Sequence, residues 1–249
     1  MRYFFTIAIL LFSLKTYSCS CAGMYSVSEK FSKADFVAKG KIIKNYKNKG
    51  EEETYKSDIK IDQIFKGVKV NSLLVYGNNG ADTFSSCDIF IKEGTELIFY
   101  ANKNYEGKLQ IGFCSGLVYF KQVNKFKKEL EILDILKMLK DKHFNKINLH
   151  PRSLSIDLKK FNGINLKKRF AIFEISFDKK LNISDVKIVS GFGNKNIDKK
   201  VIEVLNQSLW KVHQNNEKNE VFEGYKHIVD IYYYSQQGNN KSFLSLYNL

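Results

Sequence analysis

The residues best placed to do chemistry are four cysteines, Cys19, Cys21, Cys87 and Cys114, all in the first half of the chain. In an oxidising compartment an even count implies disulfides. A single residue separates Cys19 from Cys21, and so small a ring misses the preferred bridge geometry. Each is therefore expected to reach Cys87 or Cys114. Cys-x-Cys can also ligate zinc, but no His or Cys stands at finger-like spacing beside Cys87 or Cys114. The four histidines, His143, His150, His213 and His227, show no ligand spacing, and neither a His-Glu-x-x-His nor a Gly-x-Ser-x-Gly phrase occurs. Gly191-Phe192-Gly193 lacks the third glycine and the Lys-Ser/Thr pair of a phosphate loop. The scattered Asp and Glu suggest no acid–base pair. The expectation is a protein that binds and does not turn over substrate, with no catalytic residue, cofactor or metal.

Oxidised cysteines require export, and the amino terminus carries a signal for it. Arg2 precedes a largely apolar stretch, Tyr3 to Leu14, followed by small residues at Thr16 and Ser18, the layout of a secretory signal peptide. Residues 1–18 are expected to be removed, leaving Cys19 first. The stretch is well short of the roughly 20 apolar residues that cross a bilayer, so no stable transmembrane span is expected. A lipoprotein signal ranks second, because Thr16 and Tyr17 stand where a lipobox wants a Leu-like residue and a small one. The destination is the periplasm or the exterior.

The whole chain has 249 residues, 44% of them hydrophobic and 27% charged, which is the balance of a soluble globular protein and excludes a membrane bundle or a collagen-like chain. Its net charge of +14 raises the question of nucleic acid or an anionic surface. Only Arg2, Arg152 and Arg169 are arginines, the other basic residues being lysines, whereas readers of bases and phosphates favour the bidentate fork of arginine. Nucleic acid is not the expected partner. The one proline, Pro151, excludes a polyproline spacer.

Two domains are expected to position these residues. In residues 19–146, Tyr25 to Ser32 is a helical candidate. Short strand runs follow at Phe36–Ile43, Asp58–Asp62, Leu73–Tyr76, Glu96–Ala101, Leu109–Ile111 and Leu117–Phe120, with turn signals at Gly77, Gly80, Gly94 and Gly107. This pattern suggests a small closed barrel. From Lys127 to Phe144 the period becomes helical, with Leu130, Leu133, Leu136 and Leu139 on one face. Residues 149–236 read as a hairpin, Phe170–Phe177 with Val186 and Ile188, then a helix capped by Asn194 or Asn196 with Ile197, Val201, Val204, Leu205 and Leu209 along one side. A last strand, Tyr225–Tyr234, completes a β-β-α-β, two-layer α+β domain. Residues 237–249 are read as a tail, and the chain as a mixed β and α+β protein.

Two resemblances add to this reading. Cys19-Ser20-Cys21, Ala34-Asp35-Phe36-Val37-Ala38-Lys39-Gly40-Lys41, Ile64-Phe65-Lys66-Gly67, Ser86-Cys87, Gly94 with Leu97 to Ala101, and Cys114-Ser115-Gly116 resemble the netrin-like or tissue-inhibitor-of-metalloproteinases-like domain. The resemblance implies a five-stranded OB-type barrel with flanking helices and the pairings Cys19–Cys87 and Cys21–Cys114. In inhibitory members of that family the amino group and carbonyl of the first cysteine chelate a protease's zinc, and the next side chain enters its specificity pocket. Cys19 and Ser20 occupy those positions. The inhibitors' third disulfide is lacking here, and Asp88 stands where the wider family has Gly.

Phe177-Asp178, Ile183-Ser184-Asp185-Val186-Lys187-Ile188-Val189-Ser190-Gly191, Asn196-Ile197-Asp198 and Trp210 resemble the carboxy-terminal domain of the TonB family, with Leu181 and Val212 replacing its usual Gly and Pro. That resemblance implies capture of an extended peptide along a strand edge, for which Tyr225, His227, Val229, Ile231 and Tyr233 are the candidates. The expected function is that of an exported, non-enzymatic interaction protein with protein partners in the cell envelope. The alternatives are a metalloendopeptidase inhibitor acting through Cys19 and a TonB-type accessory of outer-membrane transport.

Overall fold

The computed structural model describes residues 19–21, 26–48, 52–79, 85–139, 147, 149–212 and 220–248. The expected export segment, residues 1–18, lies outside the described residues, as do His143 and His213.

A short helix, α1 (Val27–Lys33), precedes six strands: β1 (Phe36–Asn45), β2 (Thr54–Lys66), β3 (Ser72–Tyr76), β4 (Glu96–Lys103), β5 (Leu109–Ile111) and β6 (Val118–Tyr119). Five of them close into a barrel in the order β1-β2-β3-β5-β4, because β1 pairs with both β2 and β4. The β3–β5 pairing is parallel and the others are antiparallel. To serve two neighbours β1 must bend, and it does so at register shifts against β2, one of them between Lys39 and Gly40. A Cβ on Gly40 would lie 2.3 Å from the Lys60 carbonyl oxygen, so only glycine permits the approach. Phe36, Ala38, Tyr55, Val75, Leu97, Phe99 and Ile111 fill the interior.

Strand β4 is buried on both faces, which explains its unbroken apolar run. Leu97, Phe99 and Ala101 point into the barrel, while Ile98 and Tyr100 lie under α1 and the helix that follows, α2 (Val123–Met138). Helix α2 begins four residues before the expected Lys127. Its buried face carries Phe126, Glu129, Ile132, Leu133 and Leu136, whereas Leu130 and Leu139 are half-buried at its margins.

Beyond it lie β7 (Leu149–Pro151), the single-turn α3 (Leu154–Asp157), β8 (Phe170–Phe177), β9 (Ile183–Ser190), α4 (Lys195–Asn206), β10 (Trp210–Val212), β11 (Tyr225–Tyr234) and β12 (Phe243–Ser245). The expected strand-strand-helix-strand order is present as β8, β9, α4 and β11. Asn194 caps α4, its side chain accepting from the Ile197 N–H at 3.2 Å. The helix ends at Asn206, which leaves Leu209 exposed and not on its buried side as expected. At the hairpin turn Leu181 adopts a left-handed φ of 64° and is still buried. The Asp178 carboxylate organises this turn by accepting from the backbone N–H groups of Lys180 and Asn182.

The sheet runs β12-β11-β8-β9, so residues beyond 236 return to it as a strand. One face, with Phe173, Ile175, Phe177, Val229 and Ile231, packs on α4, Trp210 and Leu158. On the other face Phe170, Ile172, Ile228 and Tyr232 share one apolar cluster with Val27, Phe31, Tyr100, Phe126 and Leu133. This second face is polar toward Glu174 and Ser176, and its other half is an interface with the barrel's helices.

Candidate functional site

The segment Cys19-Ser20-Cys21 is tied to the barrel at both cysteines. Cys19 bonds Cys87 and Cys21 bonds Cys114, with Cα–Cα separations of 5.1 and 5.4 Å, and no described cysteine is free. Cys87 sits in a turn in which the Asp88 carboxylate accepts the Ser85 N–H at 2.9 Å and the Ser85 hydroxyl accepts the Cys87 N–H at 3.2 Å. Asp88, which departs from the netrin-like pattern, thus supplies a capping acceptor. Cys114 lies in a single 3₁₀ turn, Phe113–Ser115, between the Ser115 hydroxyl bound to Gly112 N–H at 2.8 Å and Gly116 at a φ of 73°. Ser20 is exposed between two half-buried half-cystines. Phe113, adjoining Cys114, and Phe90, three residues past Cys87, are about half exposed at 51% and 57%, so both anchor loops carry an uncovered aromatic ring. Two loops from different parts of the barrel therefore hold one short segment in which Ser20 is exposed. Neither bonded sulfur remains a nucleophile.

The second predicted surface is placed differently. Tyr225, Val229, Ile231 and Tyr233 are buried, with their side chains in the core against α4, and His227 is half-buried against Trp210 with ring centroids 5.3 Å apart. Strand β11 is not an open edge. It pairs with β8 along Tyr225–Tyr232, and on its other side β12 takes Tyr232–Tyr234. Helix α1 covers part of the rest, the Ser28 hydroxyl donating to the Ile228 carbonyl at 3.1 Å. The sheet's outer strands are β9 and β12. From sequence the long aromatic strand looked terminal, because its covering partners are more than 190 residues earlier and nine or more residues later in the chain.

Sequence reasoning also missed a buried polar seam between α1, α2, β4 and β11. The Lys30 ammonium, 9% exposed, pairs with the fully buried Glu129, donates to the Gly116 carbonyl at 3.2 Å and lies 4.3 Å from the centre of the Tyr100 ring. The Tyr100 hydroxyl donates to Glu129 Oε1 at 2.6 Å, and the Asn248 amide donates to Glu129 Oε2 at 3.3 Å. Burial pushes the Lys30 ammonium down and the Tyr100 phenol well up from their ordinary values. Nearby, Asp230 accepts from Ser28 N–H at 2.8 Å and from the Tyr232 hydroxyl at 3.0 Å, and Tyr232 in turn accepts from Val27 N–H at 3.0 Å. Burial raises the Asp230 carboxyl to about 6, against the two bonds that favour its ionised form. One signal was present in the sequence: Glu129 falls three residues after Phe126 and four before Leu133, in phase with the apolar stripe.

The lysine-rich groove of the barrel, about 1020 Å³, has Lys47, Lys56, Lys103 and Lys108 in its lining together with Asp35 and Glu52. Lys56 also pairs with Asp58 at 3.5 Å and Lys108 with Glu106 at 2.6 Å, so the groove's cations are interleaved with acids. Among the described residues no three His, Cys, Asp or Glu side chains gather as a metal site. No helix among them is long and apolar enough to cross a membrane.

No curated protein matches the chain. A family model described as tissue inhibitor of metalloproteinase matches residues 17–132, and the match ends before β7. That span, just under half of the chain, holds the closed five-stranded barrel, both disulfides and most of α2, and in these features it is similar to the tissue-inhibitor-of-metalloproteinases, netrin-like family.

Proposed function

We propose that this is an exported, non-enzymatic protein-binding protein whose principal contact surface is the segment Cys19-Ser20-Cys21 with its two anchor loops. One observation carries the reading: within the span that matches the inhibitor family's model, exposed Ser20 is fixed between two half-cystines, each bonded to a different loop. Fixing the segment before encounter lowers the ordering cost that a free terminus would lose on binding. The α+β region, which resembles the TonB carboxy-terminal domain in sequence, gives the protein a second surface, with β9 and β12 as its outer strands.

Inhibition of a zinc endopeptidase is the more specific form of this reading, favoured by the position of Cys19. If export removes residues 1–18, the α-amino group of Cys19 is freed. Its ordinary pKa near 8 leaves a useful neutral fraction to donate to Zn²⁺.

The test uses the mature protein beginning at Cys19, a form extended by one Ala, and a Ser20→Arg variant. Capture of envelope proteins is expected to fall at least ten-fold for Ser20→Arg, and any protease inhibition to vanish in the extended form. Equal inhibition with and without the extra Ala removes the inhibitor reading. Unchanged capture by Ser20→Arg removes the proposed surface altogether.

A further inference from the structure

We propose that strand β9 is a self-association edge, pairing antiparallel with β9 of a second copy of this chain about a two-fold axis at Val186. Among the described residues β9 is bonded to β8 alone, so its other side ends the sheet. An outer strand presents unpaired N–H and C=O groups, which are a template for another strand. What the edge carries decides which strand fits. Its register against β8 shifts between Ile172 and Phe173 and again between Ser176 and Phe177, and between those shifts Asp185–Ile188 runs regularly against Phe173–Ser176. This short ladder is the part of the edge that can accept a strand in simple alternation.

The ladder is self-complementary in charge. Asp185 and Lys187 flank Val186, and their side chains are exposed at 48% and 64%. Antiparallel pairing centred on Val186 sets Asp185 of each copy directly opposite Lys187 of the other, so the favourable pair is made twice. Centring one residue to either side sets Lys187 on Lys187 or Asp185 on Asp185, which is repulsive. The order of charges therefore selects one register. Within the chain Lys187 stands opposite Glu174 of β8, and Glu174 pairs with Lys226 at 2.6 Å. Dimerisation extends that row through Glu174 and Lys187 to Asp185 of the second copy, alternating in sign across the boundary. On the other face Val186 meets its own equivalent, and Ile188, 45% exposed, takes the diagonal position beside it. A lysine guards an edge where an approaching copy would set lysine on lysine; here the approaching copy sets aspartate on it. The regular ladder is short, so the dimer is weak and forms as concentration rises. It is independent of the Cys19-Ser20-Cys21 surface, and failure of either leaves the other standing.

Sedimentation equilibrium of the full chain from about 5 to about 500 µM is expected to show monomer and dimer exchanging with a Kd on the order of 100 µM. Asp185→Lys and Lys187→Asp both alter exposed side chains, and circular dichroism checks that each variant folds like the parent. Each alone turns two attractive pairs into two repulsive ones and is expected to weaken the dimer about ten-fold. Mixed in equal amounts the two variants are complementary, since every lysine of one faces an aspartate of the other. The mixture is expected to associate with roughly the parent's affinity. A structural role for either residue would not produce that recovery. An unmodified chain still monomeric at the highest concentration, a dimer indifferent to both changes, or two weakened variants that do not recover on mixing overturns the proposal.

Discussion

Asp230 and His227 lie three residues apart on one strand, and burial pushes their proton affinities in opposite directions. His227 falls from 6.5 to about 4 and Asp230 rises from 3.8 to about 6. As pH drops from 6.5 toward 4 the unfolded chain protonates its His227 while the folded chain does not, so stability is lost in that window. Asp230 acts oppositely. Between 6 and 3.8 the folded chain holds a proton that the unfolded chain has released, so this contribution is present at low pH and lost as pH rises through 6. At 1.36 kcal/mol per unit each swing is roughly 3 kcal/mol, and the two nearly cancel between pH 4 and 6. The expected outcome is that Asp230→Asn removes the cancelling half. Urea unfolding at pH 6.5 and pH 4 should then show that variant losing about 3 kcal/mol more than the parent over the interval. Parallel curves for parent and variant would contradict the burial of that carboxylate. A similar balance of magnitudes holds at Leu181, where left-handed backbone costs about 1–2 kcal/mol and burial of the side chain returns about 2–3 kcal/mol.

Helices α1 and α2 meet through a buried ion pair, and the local sequence of each prepares that meeting. Helix α1 has only seven residues and is set by a capping box, Ser26 Oγ accepting the Glu29 N–H while Glu29 accepts the Ser26 N–H. The box orients Val27, Ser28, Lys30 and Phe31 toward β11 and α2. Lys30 also reaches Gly116, where a Cβ would lie 2.5 Å from its Cδ, so the ion pair and the loop bearing Cys114 form one connected unit. Breaking it on one side leaves a buried charge without its partner. Glu129→Ala is expected to destabilise by about 3–5 kcal/mol, whereas the double change Lys30→Met with Glu129→Leu is expected to cost distinctly less. Chemical denaturation of the two variants decides it: a double variant as unstable as the single one would mean that the hydrogen bonds to Tyr100 and Asn248, not the unpaired charge, dominate.

At the scale of the molecule, the barrel and the α+β region share one apolar cluster through Phe31, Tyr100, Phe126, Phe170, Ile172 and Tyr232. Each half taken alone would expose that face to water, at about 25 cal/mol for every Å² of apolar area uncovered. The full chain is therefore expected to unfold in a single cooperative transition, with calorimetric and van't Hoff enthalpies equal. Two resolved transitions would show that the seam contributes little. The same packing explains why β11 is covered: the strand that a sheet edge would need for peptide capture is the strand against which α1 and β12 close the molecule.

Much of this was determined locally in the sequence. The family resemblance, and not local spacing, implied how the four cysteines pair across 68 and 93 residues; the barrel strands announce themselves through alternation and turn glycines, and the hairpin β8–β9 through Phe173, Ile175 and Phe177. These features depend on neighbours within a few residues, so their periods survive in the one-dimensional record. Only the tertiary structure decided that Glu129 and Asp230 are interior, that Ile172 and Phe170 face a helix pair from the barrel region, and that residues 243–245 return as a strand. Each of these rests on partners between nine and more than 200 residues away, and burial of a charge is set by what covers it, which no local spacing encodes.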